Sequence, residues 1–337
     1  MRITILTPYL AGLRGNAITA RRLADGLAGQ GILAEAYGYC EQQPPSAAFA
    51  GDLVHGFHAY HFGSRLLQRL PAGTPLVLTL TGTDYNIDLY RPDRRATVVA
   101  ALERAERIAL FHLDAARQVA AAVPGVAAKI SVVAPGVMLA DSGLVAAPPD
   151  IAPADKVILI VAGLRQVKNV TAAIHAVAAL ARDDVKLIHA GPVLETEAAA
   201  EVQQAASRYP WFTSLGEVAH EKMAALYRRA AVIVNTSLSE AIPGSILEAM
   251  YLGRPVVVAD IAGNRAAVRH GQTGLIYKEP ADLVAALAAL IDNDTYAAAL
   301  GRRAARQVRR QFSPAAEIAK YCRLYQSVLR KRGRNGP

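Results

Sequence analysis

The stretch "AAVIVNTSLSEAIPGSILEAMYLGRPVVVAD", residues 230–260, reads as strand, turn, helix and strand. Two valine-rich runs, 232–234 and 256–258, each bounded by turn residues, flank a segment of helical length. A strand that returns through a helix to another strand forms a parallel βαβ unit, so this stretch predicts a parallel sheet covered by helices.

The same alternation runs outward in both directions. Toward the N-terminus "RITIL", "DLVHGF", "PLVLTLTG", "RIALF" and "KISVVAPGV" read as strands, with helical periods over 17–30 and 94–105. Between 146 and 156 the composition turns to "AAPPDIAPADK", a linker signature. A second series follows: strands "VILIVAG" and "VKLIHAGP", and helices over 170–181 and about 197–208. At 337 residues the chain exceeds one small core. The predicted architecture is α/β, with a Rossmann-like domain over 1–145, a linker over 146–156, a second Rossmann-like domain over 157–311, and a helix with a basic tail over 312–337. Domains of this type bind ligands at the carboxyl ends of their strands, and two facing one another would share a cleft.

The net charge of +9 is localised. Residues 301–337 hold eleven Lys/Arg and one acid, Glu317, whereas the preceding 300 hold 26 bases and 27 acids. The basic segment suits a solvated outer face or contact with an anionic membrane surface. The "RKRGRNGP" tail lacks the interleaved aromatics of a nucleic-acid stacking platform. Only Cys40 and Cys322 are present, no apolar run reaches about 18 residues, and "MRITILTPYL" reads as a strand rather than a signal peptide. A reduced, cytoplasmic setting is expected.

Two glutamates, Glu240 and Glu248, bracket the Pro-Gly-Ser turn at 243–245. A helix starting there offers the backbone N–H groups of Gly244, Ser245 and Ile246 and the positive end of its dipole to an anion. Ser245-x-x-Glu248 is equally a capping box, in which each side chain satisfies the other's backbone donor. Arg165 and Lys168, in "VAGLRQVKNV", follow a strand and open a helix, where cations are electrostatically disfavoured without an anion. An arginine fork and a lysine point charge three residues apart suit a diphosphate. In the first series, Gly15 and Asn16 lie in a glycine-containing turn without a full dinucleotide fingerprint. Thr83 and Asp84 end a strand in "LTGTDYN", and His112 ends another in "ALFHLD". "DNDT", 292–295, matches the bare Asp-x-Asp spacing of metal-dependent sugar transferases but reads as capping residues of an interhelical turn. His189 follows a buried run and reads as packed.

Taken together, "SEAIPGSILEAMYLGRPVVVADIAGN" and "GQTGLIY" resemble the donor-binding signature of glycosyltransferase family 4. "GLRQVKN" is similar to its diphosphate segment, "LGEV" at 215–218 to its nucleobase loop, and "FSPAAEIAKYCRLYQSVL" to its helix crossing back to the N-terminal domain. "GNAIT", "GTDYN" and "AGNRAAVRHGQTGL" resemble the glycosyltransferase 1 domain-containing protein 1 group, and the GN-x-x-T turn and LTGTD strand end also resemble selenosugar synthases. Two positions depart from the wider family. Thr81 stands where many members have histidine, and Ala241 replaces the glycine after the first glutamate.

The resemblance implies a GT-B fold, with an N-terminal acceptor domain and a C-terminal nucleotide-sugar domain. It implies retaining sugar transfer from a nucleoside diphosphate sugar, UDP-linked, without metal or other cofactor. Glu240, Arg165 and Lys168 would be catalytic. Glu248, Gly244, Ser245, Ile246, Gly15, Asn16, Gly191 and Glu217 would bind the donor, and Thr83, Asp84 and His112 the acceptor. A selenophosphate-accepting synthase and a nucleotide-sugar epimerase are the alternatives on the same fold.

Overall fold

The computed structural model describes residues 1–12, 15–139 and 151–333. The chain divides into two compact units, the first formed by Met1–Gly136 with Ser313–Pro337 and the second by Val137–Phe312. The expected linker at 146–156 lies partly outside the described residues.

In the first unit the order is β1 (Arg2–Thr7), α1 (Gly15–Ala28), β2 (Leu33–Gly38), β3 (Leu53–Phe57), α2 (Ala59–Leu66), β4 (Leu76–Thr79), α3 (Thr83–Asn86), α4 (Pro92–Arg104), β5 (Arg107–Leu110), α5 (Leu113–Ala122) and β6 (Ile130–Val132). The six strands form one sheet, order β2-β1-β3-β4-β5-β6, with every pairing parallel. β3 and β4 are buried along their whole length, and the polar groups they carry there, His55 and Thr79, are bonded to one another.

The second unit runs β7 (Lys156–Val161), α6 (Val170–Leu180), β8 (Val185–Ala190), α7 (Thr196–Arg208), β9 (Phe212–Ser214), α8 (Met223–Arg229), β10 (Val232–Asn235), α9 (Gly244–Tyr251), β11 (Val256–Ala259), α10 (Ala262–Ala267), β12 (Leu275–Tyr277), α11 (Pro280–Ile291) and α12 (Asp294–Gln311). Its sheet is again parallel, order β12-β11-β10-β7-β8-β9. Both sheets are doubly wound, as expected from the alternation of strands and helices.

The last helix, α13 (Pro314–Gly333), belongs to the first unit and packs on α1. Two polar devices hold it. Glu317, with no side-chain exposure, receives Nε and Nη2 of Arg22 at 2.8 and 3.0 Å. His55, fully buried in β3, meets the Tyr325 hydroxyl at 2.7 Å and Thr79 Oγ1 at 2.7 Å, and Thr79 meets the Tyr321 hydroxyl at 3.0 Å. Burial pushes the His55 imidazole down to about 3, so it serves as a neutral link across the acid range. On α12, Arg302, Arg306, Arg309 and Arg310 are exposed, and Arg309 lies over the Tyr251 ring at 5.3 Å. Among the described residues no single helix is long and apolar enough to cross a membrane.

Candidate active site

In the second unit, β7 leads to β8 on one side of the sheet, while β10 leads to β11 on the other. The neighbouring carboxyl ends of β7 and β10 therefore flank a topological switch point, where open α/β sheets bind ligands. The two loops leaving them are tied together. Leu238 N–H donates to the Val167 carbonyl at 2.9 Å, and Thr236 Oγ1 donates to the carbonyls of Lys168 and Asn169 at 3.1 and 2.8 Å. Asn169 takes the left-handed conformation, φ 47°, that an asparagine tolerates, and turns the chain into α6.

This stitching brings Lys168 onto Glu240. The ammonium donates to Glu240 Oε1 at 2.5 Å, Ser237 Oγ donates to the same oxygen at 2.7 Å, and Asn235 Nδ2 lies at 3.3 Å. Asn235 is oriented by Asn264, whose Nδ2 donates to Asn235 Oδ1 at 3.1 Å and to the Ala259 carbonyl at 2.9 Å. Burial pushes the Glu240 carboxyl up, but the charge and hydrogen bonds of Lys168, with those of Ser237 and Asn235, outweigh it and hold the group below its ordinary value. Glu240 is thus an ionised carboxylate at the mouth of the sheet. Gly263 of α10 closes on its backbone: an added Cβ would come within 2.5 Å of the Glu240 and Ala241 carbonyl oxygens.

Arg165 lies one turn before Lys168, in extended backbone. Its Nε is buried without a hydrogen-bond partner among the described residues. Leaving such a donor unmatched costs about 1–3 kcal/mol, more for a charged group, so the position suits an anionic ligand. At the start of α9, Gly244 is exposed, and a Cβ there would meet nothing within 4 Å. The chain's own packing does not require glycine at 244, whereas a ligand approaching the backbone would. Ser245 and Ile246 follow in the same first turn.

Glu248 is placed differently from the capping-box expectation. Pro243 is the N-cap rather than the first helical residue, no side chain caps α9, and Ser245 is already inside the helix. Glu248 instead reaches back to the segment before β10. Its Oε2 accepts the Tyr227 hydroxyl at 2.8 Å and its Oε1 lies 3.0 Å from His220 Nε2. His220, Tyr227, Asn235 and Ser237 were missed in the sequence because they come from separate elements. Only the "H…Y" spacing before β10, one helix long, signals a shared face. Gly191 directly follows β8 with φ 157°, and an added Cβ would fall 2.0 Å from the Ala162 carbonyl oxygen, so glycine is required there. Glu217 is exposed in the loop after β9.

The first unit has its switch point between β1 and β3. Gly15 and Asn16 begin α1, and Asn16 Nδ2 lies 3.5 Å from Thr81 Oγ1; residues 13–14 of that turn lie outside the described residues. Asp84 is fully buried inside α3, and its carboxylate accepts backbone N–H groups of Ala59, Thr81, Gly82 and Tyr85 at 2.9–3.1 Å. Thr83 Oγ1 meets His58 Nε2 at 2.9 Å. His112 caps α5 through Nδ1, which accepts from Ala115 N–H at 3.2 Å. His58 itself went unnoticed in the sequence. It holds φ 70°, a rare value for a non-glycine residue, directly after β3, and its Nε2 is 3.9 Å from Asp88 Oδ2. Its signal was its place, a histidine between a buried strand and a helix.

"DNDT" forms the turn between α11 and α12, with Asn293 capping Tyr296 N–H at 2.9 Å, Asp294 paired with Lys156 and Asp292 with Arg182. His189 is fully buried, bound to Ser214 Oγ and the Ala162 carbonyl. Among the described residues no group of three or more His, Cys, Asp or Glu is arranged to hold a metal.

Residues 155–293 match the family described as Glycosyl transferases group 1. The glycosyltransferase 1 domain-containing protein 1 of Xenopus tropicalis is 27% identical over 301 residues, covering 82% of this chain and 84% of that protein. A D-inositol 3-phosphate glycosyltransferase of Thermobispora bispora is 34% identical over 118 residues, 34% of this chain and 27% of that enzyme. Among solved structures, Anabaena HepE in complex with UDP and glucose superposes with a TM-score of 0.77 at 19% identity, covering 97% of this chain and all of that one. Sucrose-phosphate synthase from Thermosynechococcus elongatus superposes with 0.81 at 17% identity, covering 98% and 100%. The fold is GT-B, residues 155–293 are similar to glycosyl transferases group 1 domains, and the chain is a glycosyltransferase.

Proposed function

We propose that the chain is a family 4 enzyme that transfers a sugar from a UDP-sugar to an acceptor with retention of anomeric configuration, and that it does so without a divalent ion. The observation that carries this reading is the Lys168–Glu240 pair beside Arg165, whose buried Nε has no hydrogen-bond partner among the described residues, at the carboxyl ends of β7 and β10. A sugar nucleotide has three groups to hold: a ribose diol, a diphosphate and a sugar that becomes cationic as its bond breaks. Glu248 accepts the ribose hydroxyls. Arg165, Lys168 and the first amides of α9 take the diphosphate and stabilise its charge as it leaves. Glu240 holds sugar hydroxyls, and its negative charge favours the oxocarbenium character that develops only in the transition state. The departing phosphate takes the acceptor's proton, so this reading assigns no protein base. The choice of UDP is supported by HepE, described in complex with UDP and with UDP-glucose.

The test is a panel of nucleotide sugars scored by thermal shift, then mass spectrometry and NMR of the products with and without acceptors. An α-configured product from an α-linked donor is expected. An inverted product, or a changed donor sugar formed without acceptor, would overturn the assignment. Activity is expected to survive exhaustive EDTA treatment and gel filtration; loss restored by manganese or magnesium would remove the cationic clamp from its role.

A further inference from the structure

The two donors on Glu248 are unlike one another. Tyr227, on α8, is fully buried, and its phenol is pushed well above its ordinary value by burial and then by the neighbouring carboxylate, so it stays protonated and donates. It is a fixed strut from α8 to α9. His220 has a side chain 26% exposed and opens the single 3₁₀ turn His220–Lys222, immediately after the loop 215–219. It reaches Glu248 from outside the helical layer.

A carboxylate offers about four lone-pair directions on its two oxygens. Tyr227 takes one on Oε2 and His220 one on Oε1, so each oxygen keeps one further direction. Two remaining acceptors, one per oxygen of a planar group, match two adjacent hydroxyl donors. A single hydroxyl would use only one. The match depends on the rotation of the carboxylate about its last bond, a broad torsion that packing alone sets loosely. Tyr227 alone fixes one oxygen, and His220 fixes the plane.

We propose that His220 is a positioning residue that holds the Glu248 carboxylate in the plane that accepts a vicinal diol, and so sets the enzyme's preference for ribonucleotide over deoxyribonucleotide donors. This rests on the reading of Glu248 as the ribose anchor given above. His220 follows the loop 215–219 directly, so its grip on Glu248 also ties that loop to the nucleotide.

The experiment is calorimetric titration of UDP, 2′-deoxy-UDP and 3′-deoxy-UDP into the full chain, as wild type, His220→Ala and His220→Gln. Wild type is expected to bind UDP at least about tenfold more tightly than either deoxy analogue, the size of one hydrogen bond to a charged group. His220→Ala is expected to bring the three affinities within about threefold of one another, and His220→Gln, which keeps an N–H at similar reach, to restore the preference. A structural role would lower the affinity for all three nucleotides together and leave their ratio intact. That result, or an unchanged ratio in His220→Ala, overturns the proposal while leaving the donor site standing. If wild type fails to bind UDP at all, the donor reading falls and this inference with it.

Discussion

Asp84 and Glu240 are both buried carboxylates at the carboxyl end of a parallel sheet, one in each unit, yet they are held in opposite ways. Asp84 receives only backbone N–H groups, from four residues on two segments. Glu240 receives the side chains of Lys168, Ser237 and Asn235, one of them a charged lysine. Backbone donors are fixed by the fold, so a carboxylate that gathers them ties loops together and has little left to give a ligand. Side-chain donors can turn toward an incoming group, and Lys168 carries a charge that an anion can share. On the proposed reading, burial alone does not separate the acid that holds loops from the acid that meets substrate; the kind of donor around each does.

Asp84→Ala breaks the comparison most severely if it is correct. It leaves several buried N–H groups unmatched, at about 3–5 kcal/mol in total, and should lower the melting temperature by many degrees. UDP affinity of the protein that remains folded should change little, because Arg165, Lys168, Glu240 and Glu248 all lie in the other unit. A variant that melts like wild type but cannot turn over an acceptor would move Asp84 into the acceptor site. Glu240→Gln comes next. It should lower kcat by roughly 10²–10³, the cost of losing one preorganised electrostatic contact, with donor KM changed little. A kcat within about twofold of wild type would correspond to under ~0.5 kcal/mol of barrier and end the catalytic assignment. Arg165→Ala is smaller. Its Nε has no hydrogen-bond partner to lose among the described residues, so the melting temperature should hold while UDP affinity falls roughly tenfold to a hundredfold, ~1.5–3 kcal/mol. Titration calorimetry with UDP reads this directly.

Most central strands were legible because they are buried on both faces and read as apolar runs; the edge strand β6 was read from its own "KISVV" pattern. The strands that escaped notice, β2, β9 and β12, are sheet edges. β2 reads "LAEAYG", with an exposed leucine and residues of low strand propensity, and β9 and β12 have three residues each. Their pairing comes from a neighbour, which no local pattern records. The site divides in the same way. Arg165 and Lys168 stood out because cations at a helix start conflict with local preference, and Glu240 and Glu248 because they bracket a turn whose backbone N–H groups suit an anion. Their partners did not, because His220 lies 28 residues before Glu248 and Lys168 lies 72 before Glu240. The capping box was a sound local reading that lost to a tertiary one: a tyrosine and a histidine offered Glu248 better donors than its own helix end.

The smallest expected effect is also the sharpest form of the comparison, because the two carboxylates should respond to acid with opposite signs. Glu240 is held below its ordinary value of 4.5, since Lys168 and its other donors outweigh burial. The folded state then binds its proton less readily than the unfolded chain. Its contribution to stability is present above about pH 4.5 and is lost as the pH falls through the folded value. Asp84 is raised above 3.8 because burial outweighs its backbone donors. Its contribution is present below that value and is lost as the pH rises through the folded one. Melting curves of wild type, Glu240→Gln and Asp84→Asn between about pH 3.5 and 7, the range spanning both ordinary values, read the two signs. The gap between wild type and Glu240→Gln should close toward acid, whereas the gap between wild type and Asp84→Asn should be widest there. Parallel curves for all three proteins would mean that neither carboxyl is shifted and that the donors around them do not set their charge. Gaps that move in the same direction would mean that side-chain and backbone donors act alike, and the distinction between the two sites would fail.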